Sequence, residues 1–92
     1  VGPASKKKER QAWFDDATLY YASEVWARKR ADVLERDHYQ CQARIDDDCM
    51  GRASQAHHLT YRHFRCEPLF DLIAVCRNCH ETITQMDRAA RL

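Results

Sequence analysis

Cys41, Cys49, Cys76 and Cys79 constrain this chain more than any other feature. They form two short-range pairs, Cys41-x7-Cys49 and Cys76-x2-Cys79, with a longer loop between them. Thiolates bind Zn²⁺ tetrahedrally, and two pairs closing a loop is the usual way a small chain builds such a site. The C-x-x-C spacing lets both sulfurs face one ion across a tight turn, whereas the C-x7-C spacing is looser and less specific. The chain has 92 residues. That bounds it to one small domain with a modest core, just above the roughly 70–80 residues below which a staple is needed. Metal binding is folding free energy in domains of this size, so a structural zinc would supply the staple. The competing reading is a set of buried or redox-active thiols. Cys66, the fifth cysteine, has no partner in this scheme. It reads as a loop or core thiol, or as a replacement for Cys49 as fourth ligand.

An odd cysteine count and a C-x-x-C argue against a secreted disulfide framework. No signal peptide and no apolar run of membrane length is present in the sequence. These features predict an intracellular, cytoplasmic protein with reduced thiols and no membrane partner. The chain opens on "VGP" without Met, as a processed fragment or a cloning remnant would. Net charge is +1, so no global field points to nucleic acid. The charge is uneven, with a basic run, "SKKKER", at the N-terminus and an acidic one, "RIDDDC", in the middle. Both read as solvated surface. Residues 1–12 are expected to be a basic, mobile arm, and residues 13–92 a single domain.

The aromatics of "WFDDATLYYA" (13–22) must pack on something. Ser23 is a plausible N-cap, with Glu24 in the first turn where the helix dipole favours a carboxylate. The helix should run over about Glu24–Arg36, with Trp26, Val33 and Leu34 on one apolar stripe and Arg28, Lys29 and Arg36 off or beside it. "HYQCQARIDDDCMGRAS" is turn-rich and needs an external tether. "SQAHHLTY" reads as a short strand, and "YRHFRCEPLF" as a loop in which Pro68 disfavours helix. "DLIAVC" (71–76) is an apolar run of strand length. "RNCHETITQMDRAARL" reads as a C-terminal helix, with Ile83 and Met86 on its buried face.

Five histidines occur, at 38, 57, 58, 63 and 80. His38 falls at a helix end, where a cation suits the dipole. His63 lies in a loop and reads as solvent-facing. His57, His58 and His80 fall where strands would feed the cysteine-tied core. Successive strand side chains point to opposite faces, so two adjacent strand histidines cannot easily serve one ion from the same side. That predicts a division of labour, one ligand and one base, both within imidazole's range. His80 directly follows Cys79 and would be held rigidly at a helix start. A histidine pair alone is weak grounds for a site.

The ordered combination is specific. "AHHLTY" followed by "DLIAVCRNCH", with an upstream cysteine pair and the "SEVW…R…VLERDHYQCQ" helix, resembles the HNH endonuclease family. It looks most like the zinc-bracketed branch common in phages and bacteria, over about residues 23–84. The resemblance implies a small α+β fold, the ββα-metal or His-Me finger core, with an N-terminal helix and a four-cysteine zinc site. It implies a DNA endonuclease in which His58 is the general base and His57 and His80 hold a catalytic divalent ion. Imidazole donors suit Mn²⁺, Ni²⁺, Co²⁺ or Zn²⁺, and less usually Mg²⁺. His58 would take a proton from the water that attacks phosphorus. The ion would contact a non-bridging oxygen and the leaving 3′ oxygen, giving 5′-phosphate and 3′-OH ends. Activity should fall below the pKa of His58. Arg62, Arg65, Arg28 and Lys29, with the N-terminal arm, are candidate phosphate contacts. Tyr61 and Phe64 pack in the core or wedge at a groove.

Two positions depart from the family pattern. Asp71 stands where the family usually has asparagine, nine residues before the last histidine. An ionised aspartate only accepts hydrogen bonds, so Asp71 should hold the loop between the strands by accepting backbone N–H bonds. Thr84 stands where many relatives carry a further metal-binding histidine. These departures leave an alternative, a catalytically inactive HNH-like zinc module that binds DNA or a protein partner. A plain four-cysteine knuckle with incidental histidines is a third reading. A homodimer, or membership of a larger protein or complex, stays open.

Overall fold

In the computed structural model, residues 16–91 are described. The basic run and Trp13 and Phe14 lie outside them. Helix α1 covers residues 16–21, and α2 covers Glu24–Arg36. Strands β1 (Gln55–His58) and β2 (Leu72–Val75) follow, with a 3-10 turn at Leu69–Asp71 leading into β2, and α3 (Arg77–Arg91) closes the chain.

Helix α2 starts where its cap dictates. Ser23 is extended, and its Oγ accepts from the Trp26 backbone N–H at 3.2 Å, which satisfies one of the free N–H groups of the first turn. Trp26 and Val33 are buried on the expected stripe, and Leu34 is partly buried beside them. The helix ends at Asp37, and both His38 and Tyr39 take left-handed backbone, at φ 57° and 58°. That costs about 1–2 kcal/mol per non-glycine residue, offset by the Tyr39 N–H bond to the Leu34 carbonyl at 2.8 Å. The reversal turns the chain back onto the sheet. Arg36 and Asp37 then stitch the two together. Arg36 donates to the Leu72 and Leu69 carbonyls at 2.6 and 2.8 Å, and Asp37 accepts from the Ala74 N–H at 2.9 Å.

The strands pair antiparallel, with His57 opposite Ile73 and His58 opposite Leu72. Because the side-chain period is two, this register sorts the sheet into two faces. Ala56, Leu72 and Ala74 join Tyr20, Trp26 and Val33 on the α2 side. Val75 and Ile73 join Cys41, Cys76 and Cys79 on the other. Each face is covered, so these four-residue strands are held by packing from both sides.

Between α2 and β1 the chain folds as a knuckle. Gln40 bridges Arg52, the Cys41 N–H bonds the Gly51 carbonyl at 2.8 Å, and the Gln42 N–H bonds the Ala74 carbonyl at 2.9 Å. Gly51 has φ +76°, the left-handed backbone that glycine adopts without penalty. The acidic run here is not wholly solvated surface. Asp46 is half-buried, accepts from the Thr82 hydroxyl of α3 and caps its own turn at the Asp48 N–H.

Met86 also departs from expectation. It is exposed, whereas Ile83 packs on the cysteine cluster. A 15-residue helix is about 22 Å long and a four-residue strand about 13 Å, so the end of α3 overhangs the sheet. Among the described residues no buried side-chain polar atom lacks a partner, and no helix is long and apolar enough to cross a membrane.

Candidate active site and metal centre

The knuckle and the start of α3 bring four sulfurs together. The Sγ atoms of Cys41, Cys49, Cys76 and Cys79 all lie within 4.8 Å of one another, and Cys76 Sγ is 3.9 Å from Cys49 Sγ. A tetrahedral ion with Zn–S bonds of about 2.3 Å needs sulfurs about 3.8 Å apart, so the set fits. Its chemistry fits as well. Burial raises the Cys76 thiol, but backbone N–H groups of Cys79 and Met50 bring it down to about 6. The Gly51 N–H lowers Cys49, yet burial and the other three sulfurs push it up to about 11. Successive thiolates resist one another unless a cation shares them. Cys66 is exposed and outside the cluster, and Cys49 is the fourth member.

Two of the three chemically suggestive histidines pair at the β1–α3 junction. His57 and His80 meet edge to face with ring centroids 5.5 Å apart. Burial lowers the pKa of both, and each is lowered further by a neighbouring histidine: His80 acts on His57, and His58 on His80. Asp87 partly offsets the effect at His57. Neutral imidazole is the form that binds a metal, so these two rings suit an ion between them.

His58 leaves the opposite face of the strand. Its ring is sandwiched between Trp26, at 5.1 Å and 7° from parallel, and Tyr61, at 4.6 Å and 16°. His58 still reaches the same cleft as His80. That cleft, about 470 Å³, is also lined by Tyr21, Trp26, Arg30 and Tyr61.

The sandwich is anchored by Glu67, whose side chain is fully buried. Glu67 Oε2 lies 2.6 Å from His58 Nε2, and its Oε1 accepts from the Tyr20 hydroxyl at 2.5 Å and from Lys29 Nζ at 2.9 Å. Burial raises the Glu67 carboxyl, but bonds from Tyr20, His58 and Lys29 outweigh it and hold the group at about 2. Asp71 is buried, and its Oδ2 lies 2.8 Å from His63 Nδ1. Its backbone carbonyl takes the Leu59 N–H at 2.8 Å. The Asp71 side chain thus meets His63 rather than the backbone N–H groups expected of it, and the backbone bond to this loop is made by its main-chain carbonyl.

No protein-family model matches the sequence, and no curated protein matches it with significance. Among solved structures, the fold is similar to the crystal structure of the HNH endonuclease of the deep-sea thermophilic bacteriophage GVE2 with manganese ion. The likeness covers 98% of this chain and 98% of that one, with a TM-score of 0.72 and 25% identity. The chain has the HNH endonuclease fold. This small α+β fold, with its two-stranded antiparallel sheet and a four-cysteine cluster that fits a metal site, is the one the sequence resemblance implied, and it supports a nuclease-type function.

Within the HNH fold the basic residues part company. Arg28 and Arg62 are exposed. Lys29 turns inward to Glu67 and the Arg65 carbonyl, and Arg65 pairs with Asp16. Arg30 joins the cleft instead, four residues after Trp26 and so on the same helix face. Phe64 packs against Tyr20 and Tyr21, while Tyr61 covers His58 and stays half exposed. Nothing in the sequence pattern marks Glu67 or His63. Both lie in a loop without periodicity, and their partners are fixed only when that loop folds over α2.

Proposed function

We propose that this protein is a metal-dependent DNA endonuclease, with His58 as general base and a divalent ion held by His57 and His80. The observation that carries the reading is His80, which meets the His57 ring on one side and shares a cleft with His58 on the other, on the HNH fold. A divalent ion there supplies charge neutralisation at the phosphorus and the leaving oxygen. The ion in the neighbour's crystal structure, manganese, is one that imidazole donors suit.

The chain's own residues do the rest. His57 and His80 offer neutral nitrogens to the ion. His58, clamped by Trp26 and Tyr61, accepts a proton from the attacking water through the nitrogen that Glu67 leaves free. Asp71 holds the loop that carries Tyr61 and so keeps the clamp in register. Arg28, Arg30 and Arg62 steer the phosphate backbone, a sequence-independent and salt-sensitive contact. Lys29 and Arg65, already paired within the protein, contribute less. The cysteine cluster holds a structural Zn²⁺ that fixes the start of α3 and therefore His80.

Supercoiled plasmid relaxation with Mn²⁺, Mg²⁺ and Ni²⁺ tests the assignment, run on wild type, His57→Ala and His80→Ala. Cleavage that needs added metal and is lost in both variants is expected. Variants that cleave as wild type at low metal concentration would remove the two-histidine site. A protein that binds DNA without cleaving it under any of these metals favours the inactive module, which the Asp71 and Thr84 departures also fit.

A further inference from the structure

Nothing in the sequence singles out Glu67, yet it is the most heavily bonded side chain beside the site. Three donors or potential donors converge on it: His58, Tyr20 and Lys29. Its carboxylate is the group that meets a ring nitrogen of His58. We propose that Glu67 is a positioning residue that fixes His58 in its Nε2–H tautomer and so leaves Nδ1 as the proton acceptor. This rests on the reading of His58 as general base.

An ionised carboxylate can only accept hydrogen bonds. Bonded to one at 2.6 Å, Nε2 must carry the proton. In neutral imidazole the other nitrogen is then the acceptor. The assignment requires Glu67 to stay ionised although its side chain has no solvent exposure. Lys29 supplies the countercharge at 2.9 Å, and the Tyr20 hydroxyl a further hydrogen bond at 2.5 Å. The parallel stack on Trp26 and Tyr61 blocks ring rotation, so the nitrogens cannot exchange places. Tautomer and orientation are therefore both set before substrate arrives, which is where pre-organisation of a base acts. The same carboxylate ties α1, through Tyr20, and α2, through Lys29, to the loop after β1.

A structural role alone would need only the bonds to Tyr20 and Lys29. The isosteric Glu67→Gln variant separates the two roles. Its carbonyl can keep both of those bonds at the Oε1 position, while its amide presents an N–H to His58 Nε2. That donor favours the Nδ1–H tautomer, in which the catalytic nitrogen is blocked. The wrong tautomer in a comparable carboxylate–histidine arrangement lowers kcat by about 10⁴.

Long-range ¹H–¹⁵N NMR reads the His58 tautomer directly, on zinc-loaded protein. The expected result is Nε2–H in wild type and Nδ1–H in Glu67→Gln. The variant should keep a cooperative melt, bind DNA with unchanged affinity and lose about 10²–10⁴ in kcat without a matching change in KM. Nδ1–H in wild type overturns the proposal even if the variant does not fold. So does a folded Glu67→Gln with the Nε2–H tautomer and wild-type kcat. The tautomer is read independently of cleavage, so activity retained by His58→Ala would instead reject the base assignment beneath it.

Discussion

With the proposed structural zinc in the cysteine cluster, stripping that metal should unfold this protein. A structural Zn²⁺ contributes on the order of 10–16 kcal/mol of apparent binding free energy in small zinc domains. A whole domain of ordinary stability holds only about 5–15 kcal/mol. The structure shows why the balance tips here. The sheet face opposite α2 packs on Cys41, Val75, Cys76 and Cys79, all fully buried. Without a cation, three of those four members are thiols crowded against Cys49. The other cluster is modest, since three of its seven buried members are alanine, and alanine buries little area. The knuckle then depends on a handful of backbone bonds, such as Cys41 to Gly51 and Ala53 to Tyr39. The assay is a far-UV circular dichroism melt before and after a high-affinity zinc chelator, with metal content measured on the same samples. The cooperative transition should disappear when the metal leaves and return with one equivalent of Zn²⁺. For a domain of this size about 1 kcal/mol moves Tm by roughly 4–8 °C. A metal-free protein melting within about 5 °C of the zinc-loaded one would refute this reasoning.

Three further outcomes follow from particular groups. Glu67 is held at about 2 against an ordinary value of 4.5, so it contributes about 3 kcal/mol. That stability is fully present above about pH 4.5 and is lost as pH falls through about 2; chemical denaturation in acid should show this window, and Glu67→Gln should flatten it. Asp71→Ala frees His63 and the loop it anchors; a hydrogen bond to a charged group is worth about 1.5–3 kcal/mol, so cleavage should drop roughly 10- to 100-fold, while Asp71→Asn, which keeps an acceptor, should lose less. Replacing Arg28 and Arg62 by alanine should weaken binding to unrelated duplexes equally. It should also make the dependence of log affinity on log salt shallower by about 0.9 for each phosphate no longer neutralised.

Local rules carried much of this fold. Ser23 as cap, Trp26 and Val33 as stripe, and "DLIAVC" as a strand all depend on near neighbours, and the structure has them in place. The cysteine spacing was legible because a tetrahedral ion admits few arrangements. Adjacent histidines on a strand had to diverge, and they do, one toward His80 and one toward Trp26. The rest depends on residues distant in sequence. Lys29 reads as one more surface cation until the loop brings Glu67 to it, 38 residues on. Asp46 reads as part of a solvated acidic run until α3 presents Thr82. Met86 has the spacing of a core residue, but the sheet ends before reaching it. His63 reads as solvent-facing, and only the fold supplies Asp71 as its partner.

The most direct test of His58 as the base is plasmid nicking by wild type and His58→Ala with Mn²⁺, at matched zinc content and matched melting behaviour. General-base catalysis contributes typically 10²–10⁴-fold. Wild type should nick, and the variant should be slower by at least about 100-fold. Equal cleavage by the two proteins would contradict the assignment.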